Sequence, residues 1–149
     1  MAAGFTIEEK QILAFERAFL EYAEKHILPE MLESVICLDA DLGMREINSS
    51  LMDFLHDMEP FGPANPHPKF SLHDVCAGKP LLLKDKHLKF NIKEGGHLLQ
   101  CIGWNMLDRF ELVMDTSQRV DIAFVPAINE WNGVKRIQLV IKDIHSHIT

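Results

Sequence analysis

The stretch "KHLKFNIKEGGHLLQCIGWNMLDRFELV" (Lys86–Val113) changes periodicity partway along, and that change decides the fold. From Lys86 to Lys93 apolar and polar residues alternate, with Leu88, Phe90 and Ile92 on one side and His87, Lys89 and Asn91 on the other. Successive strand side chains point to opposite faces, so this is a strand with one face buried and one in water. Glu94-Gly95-Gly96 supplies a turn, and His97–Asn105 is the returning strand, with Cys101 and Gly103 as packing positions opposite Trp104. "MLDRFELV" then abandons the alternation and reads as a short helix.

Working outward, "KFSLHDV" (Lys69–Val75) and "PLLLK" (Pro80–Lys84) read as one long, bent strand interrupted near Gly78. Two more strands follow the helix, Arg119–Ile128 and Lys135–Ile144, joined through "NEWNG", whose Asn132-Gly133 favours a type I′ turn. Five strands with one helix between the third and fourth is the element order of an OB-fold barrel. An SH3-like barrel shares much of this pattern, and the helix position favours the OB-fold.

The residues before the barrel read differently. Thr6 with Glu9 has capping-box spacing, and Ile12, Phe15, Phe19, Tyr22 and His26 follow at steps of three and four, predicting a helix of about six turns ended by Pro29. "SVICLDADL" (Ser34–Leu42) reads as a short strand or extended segment, and "INSSLMDFLHDMEPF" as a second helix capped near Asn48 or Ser49. That helix carries Leu51, Phe54, Leu55 and Met58 on one side and ends at Pro60. The fold expected is therefore mainly β with a helical N-terminal segment, a five-stranded OB-fold barrel preceded by two helices and a short strand.

At 149 residues, with 47% hydrophobic and 25% charged residues, the composition is that of an ordinary globular chain. It holds neither a run of about 18 apolar residues nor a basic-then-apolar leader, so no membrane association and a cytoplasmic location are expected. Cys37, Cys76 and Cys101 are odd in number, far apart and without a CxxC pair, which argues for buried thiols over disulfides or zinc. The net charge of -7 is unevenly spread: residues 1–68 hold four Lys/Arg against 13 Asp/Glu, and residues 69–149 hold 11 against nine. The charge boundary falls in "EPFGPANPHPKF" (Glu59–Phe70), where Pro60, Pro63, Pro66 and Pro68 stiffen the connection into a clamp. Phe61 and Phe70 are placed to pin its ends, and Asn65 to take an unusual turn conformation.

"LHDMEPFGPANPHPKF" and "RVDIAFVPAINEWNGVKRIQLVIKDI" together resemble the C-terminal region of the RecJ family of bacterial single-strand-specific exonucleases. In that family an EPFGxGNPxPxF-like segment leads into an OB-fold ending in a NEWNGxxxxQLxxKD-like hairpin; Ala64 stands here where the family usually has glycine. The opening "MAAGFTI" is similar to the end of the family's GGHxxAAGF motif. The resemblance implies that residues 1–28 are the last helix of a truncated DHHA1-type domain, 29–68 a connecting segment and 69–149 the OB-fold. It implies a parent enzyme that degrades single-stranded DNA processively from 5′ to 3′ in repair and recombination. The parent's metal, manganese or magnesium, and its catalytic residues would lie outside this chain, which needs no cofactor and does not hydrolyse DNA alone. The catalytic domains of the same parent chain, and a single-strand-binding protein, are the implied protein partners.

An OB-fold holds single strands with cations along the phosphates and flat rings under the bases. Candidates for the first role are Lys84, Lys86, His87, Lys89, Lys135 and Arg136, with Asn91 and Gln138 as polar neighbours. Arg136, Gln138 and Lys142 share one face of the last strand. Trp131, at a hairpin tip, reads as a stacking platform or as a ring folded back on the sheet; Trp104 reads as a platform or as a plug for the barrel end. Asp39/Asp41, His73-Asp74 and His145-x-His147 are too sparse to be read as metal sites. A protein-interaction module and an oligosaccharide-binding barrel are the competing functions, the latter disfavoured by one tyrosine and two tryptophans.

Overall fold

From Phe70 onward alternation produces strands in the places expected, and two Gly-containing turns join hairpins among them. The computed structural model describes residues 4–114 and 119–147, so the Met1–Ala3 part of the N-terminal resemblance lies outside the described residues. The chain forms two compact units, Met1–Ile36 and Cys37–Thr149.

In the first unit, helix α1 spans Ile12–His26 behind a single 3₁₀ turn, Glu9–Gln11. The expected capping box is corrected: the turn begins after Glu8, neither start carries a side-chain cap hydrogen bond, and α1 is shorter than six turns. The apolar stripe packs locally, with Phe15 against Phe5 and Phe19 at ring distances of 4.8 and 5.7 Å, and Tyr22 stacked on His26 at 3.8 Å. No residue of α1 is buried.

The second unit contains β1 (Ala40–Asp41), α2 (Ser49–Asp57), β2 (Phe70–Cys76), β3 (Leu81–Leu83), β4 (His87–Glu94), β5 (His97–Gly103), α3 (Phe110–Met114), β6 (Arg119–Trp131) and β7 (Val134–Ser146). The strand expected over Ser34–Leu42 contracts to the two residues of β1, parallel to β2. Asn48 is the N-cap of α2, its Oδ1 accepting from the amides of Ser50 and Leu51. Both glycine turns are of the mirror-image kind: Gly95 and Gly96, then Asn132 and Gly133, all have positive φ.

One sheet of order β1-β2-β6-β7-β5-β4-β3 holds all seven strands, with β5 and β7 parallel and the other barrel pairs antiparallel. The closed barrel expected from the sequence is corrected: this is an open sheet. The first strand is split, its halves β2 and β3 lie at opposite ends of the barrel order, and no ladder joins them. A single bridge, Ala77 to Ile92, and the bond from Gly78 N to Asn91 O at 2.7 Å mark the seam.

Leu88, Phe90, Ile92, Cys101, Val120, Ile122, Phe124, Leu139 and Ile144 form the interior, each no more than 2% exposed. Burial pushes the Cys101 thiol well above its ordinary pKa, so it behaves as a small apolar side chain; Cys37, by contrast, is exposed and Cys76 half-buried. α3 contributes Val113, fully buried. A side chain at Gly103 would meet Met106 Sδ at 2.7 Å, so the glycine lets Met106 pack onto the end of β5. Met44, Ile47 and Leu55 join the same core, which attaches α2 to the sheet. Of the face expected to pack, Leu51 and Leu55 do so with Met52, while Phe54 stays exposed.

The proline-rich stretch folds into a small hairpin. Gly62 and Asn65 exchange backbone bonds of 2.8 and 3.0 Å, and Asn65 Nδ2 donates to the carbonyls of Met58 and Pro60 at 2.9 and 3.1 Å. Asn65 thus acts through its side chain and is not one of the residues with positive φ, which corrects the turn role expected for it. Phe70 is buried beside Phe124, while Phe61 packs on His67. Asn65→Ala removes both side-chain bonds and is expected to lower unfolding stability by about 1–2 kcal/mol in urea titrations. An unchanged midpoint would show that the hairpin does not depend on them.

Candidate nucleic-acid interface

Because facing residues of paired strands share a side of the sheet, the register alone assigns the outer face. Asn91 is opposite Gln100, Gln100 opposite Gln138, Gln138 opposite Ala127, Arg136 opposite Asn129, and Trp131 opposite Val134. Lys89 sits two residues before Asn91 on the same side, facing Ile102. All of these but Ala127 and Ile102 line a continuous groove. Its larger part, about 500 Å³, is bounded by Lys89, Gln100, Asn129, Trp131, Asn132, Val134 and Arg136. Its second part adds Asn91, Leu98 and Gln138, and shares Gln100, Asn129 and Arg136 with the first.

Polar pairing within the groove holds the amides in place and leaves the cations available. Gln138 Nε2 donates to Gln100 Oε1 at 2.7 Å, which orients both across the strand pair. Among the described residues neither Lys89 nor Arg136 enters an ion pair, so both keep their charge for a ligand. Trp131 is 75% exposed and Trp104 56% exposed, which corrects the readings of one as folded back and the other as a barrel plug. Trp104 stands edge-on to the His87 ring, centroids 4.9 Å apart, while His87 Nδ1 accepts from the Asn105 amide. His87 and Trp104 continue the outer face from Lys89 and Ile102. Counting eight residue steps from the level of Trp104 to that of Trp131 gives roughly 27 Å along the strands.

The remaining candidates divide. Lys84 and Lys86 occupy the exposed β3–β4 turn beside His87, where Lys84 and Asp85 both have positive φ. Lys135 leaves the groove: it alternates with Arg136, pairs with Glu130 at 3.8 Å and faces the opposite side of the hairpin. Lys142 sits at the bulge where β6 and β7 shift register and lines neither part of the groove. Gln100 and Asn129 are among the groove residues that reading the sequence missed, with Asn132, Val134 and Leu98. Strand alternation marks their side of the sheet, but only the β5–β7 pairing sets Gln100 beside Gln138.

On the other edge of the sheet the carboxylates and histidines first weighed as metal ligands form a hydrogen-bonded cluster. Ser71 Oγ donates to Asp41, His73 Nε2 lies 3.3 Å from Asp41, and His73 Nδ1 lies 3.3 Å from Asp121. Asp121 also accepts from the Asp74 amide and pairs with His147 at 2.7 Å, and Arg119 pairs with Asp74. Asp39 accepts from the Lys69 amide, securing the start of β1. Among the described residues no group of three or more His, Cys, Asp or Glu is arranged to hold a metal ion.

A family model described as the RecJ OB domain matches residues 38–143. The single-stranded-DNA-specific exonuclease RecJ of Escherichia coli (strain K12) is 29% identical over 146 residues, covering 97% of this chain and 25% of that protein. The protein of the same description from Bacillus subtilis (strain 168) is 28% identical over 145 residues, covering 96% and 18%. The chain therefore spans a quarter or less of the length of these relatives. The crystal structure of RecJ from Thermus thermophilus in complex with Mn2+ superposes with a TM-score of 0.75 at 22% identity, over 98% of this chain and 21% of that one. That likeness is one of fold.

The edge cluster gives stability a pH dependence. Hydrogen bonds to Asp121 and then to Asp41 raise the pKa of His73, so its contribution is complete below the ordinary imidazole value of 6.5 and is lost as pH rises through the higher folded value. Asp41 is held low by Ser71 and His73; for Asp121, desolvation pulls upward but is outweighed by the Asp74 amide and the two histidines. Their contributions are complete above 3.8 and are lost as pH falls through lower values. Between about pH 6 and pH 9 the urea midpoint is expected to fall. The fall should shrink in His73→Asn, and an equal fall in that variant would show that His73 is not its source.

Proposed function

The chain belongs to the RecJ OB-domain family, and from that membership we propose that its outer groove binds single-stranded DNA. The observation that carries this reading is the gathering of Lys89, Arg136 and Trp131 with the amides of Asn91, Gln100, Asn129 and Gln138 on one exposed face. Cations neutralise phosphates, the indole offers a face to any base, and amides accept whatever edge is presented, a combination suited to strands of varied sequence.

On this reading the groove guides a strand in a longer RecJ-type exonuclease of the cytoplasm, which degrades single strands from the 5′ end during DNA repair and recombination. The names of the relatives support the single-stranded substrate. Hydrolysis, with manganese or magnesium as its metal, is assigned in this proposal to the part of the longer enzyme outside this chain. The catalytic domains of the parent chain and a single-strand-binding protein are the proposed protein partners. No helix among the described residues is long and apolar enough to cross a membrane.

Four cations along the track, Lys84, Lys86, Lys89 and Arg136, set the salt response: a log-log slope of about -2 to -3 for a single strand. Fluorescence titration with labelled oligo-dT at several salt concentrations measures it. Lys89→Ala/Arg136→Ala is expected to weaken binding and bring the slope about 1.4 closer to zero, and Trp131→Ala to weaken binding roughly fivefold or more. No binding at low salt would turn this face into a protein-docking surface instead.

A further inference from the structure

The β6–β7 hairpin has a second open side. Opposite the groove, its inner face and the α2–proline hairpin region enclose a cleft of about 680 Å³. Met52, Leu55, Pro126 and Ile137 give it an apolar floor. On one wall the rings of Phe61 and His67 pack at 4.0 Å with a 38° tilt, and His67 is exposed. Asp53 and Glu59 stand in the cleft, with Lys135 and Arg136 lining it from the hairpin. Arg136 lines both cleft and groove, so the two spaces meet at its side chain.

The charge pattern selects the occupant. Carboxylates lining the cleft repel a phosphate, and the basic pair on the hairpin repels a free cation. A flat, neutral ring fits: it covers the apolar floor, stacks on the exposed imidazole, and leaves its phosphate outside at Arg136. Glu59 is engaged by His56 at 3.4 Å, whereas Asp53 has no hydrogen-bond or ion-pair partner among the described residues and is open to accept one. An acceptor in that position favours a base with an exocyclic amino group; thymine offers only its ring N3–H, flanked by two carbonyl oxygens that a carboxylate repels.

We infer that this cleft is a nucleobase subsite, taking one unstacked base from a strand lying in the outer groove and preferring an amino-bearing base to thymine. The inference rests on the single-strand reading of the groove. The experiment compares oligo-dC with oligo-dT of equal length on the whole chain by fluorescence titration. Oligo-dC is expected to bind roughly fivefold or more tightly, the lower end of what a base-edge contact contributes to discrimination. Phe61→Leu, which keeps the apolar volume but removes the aromatic face, His67→Ala and Asp53→Ala should each bring that ratio toward one. Lys89→Ala should weaken both oligonucleotides and preserve the ratio. Equal affinities in the wild type, or a ratio untouched by all three cleft substitutions, would overturn the subsite while leaving the groove intact. Absence of binding by either oligonucleotide would remove both.

Discussion

One bend holds the second unit together. Residues 70–83 must pair with β6 at one end and β4 at the other, so the chain turns sharply between β2 and β3. A bulge between Leu72 and Val75, where Asp74 takes a positive φ and its amide is received by Asp121, begins the turn. Gly78 completes it: its amide reaches Asn91 O at 2.7 Å, and a side chain there would stand 3.2 Å from the same oxygen. Everything inside the sheet, from Phe90 to Phe124, is enclosed because this bend brings its two ends together.

Once the bend sets which side is inside, parity does the rest. Leu88, Phe90 and Ile92 are buried, so Lys89 and Asn91 must face out; Leu139 is buried, so Gln138 must face out. The groove is the solvent side of the core's own alternation. Its gathering of cations, amides and an indole needs no dedicated loop, only cross-strand neighbours of suitable type.

Much of this was legible in the residues. The split first strand, the positions of both glycine turns, the mirror-image type of the Asn132-Gly133 turn, a cap at Asn48 or Ser49 and the helix between β5 and β6 followed from local chemistry, because each depends on neighbours a few positions apart. The outer-face placement of Lys89, Asn91, Arg136 and Gln138 followed from alternation. Long-range matters did not. Nothing near Lys135 in the chain shows that Arg136 lies over the groove while Lys135 pairs with Glu130 and faces a cleft, because the assignment depends on which side of the hairpin β5 pairs with. Likewise Asp39 looked like half of a carboxylate pair, and its role emerged only with the Lys69 amide 30 residues away. The open seam was also invisible, since element order is the same for an open and a closed sheet.

The β6–β7 hairpin carries a different assignment on each side, and its two-residue tip, Asn132-Gly133, sets the pairing of Trp131 with Val134. An exposed tip is usually where chains tolerate length changes. Here a single-residue insertion or deletion that shifted the pairing by one would turn Arg136 inward and Lys135 outward, altering the lining of groove and cleft at once. Gains or losses in twos would keep both. The surface of this hairpin therefore carries a counting rule as strict as that of a buried core.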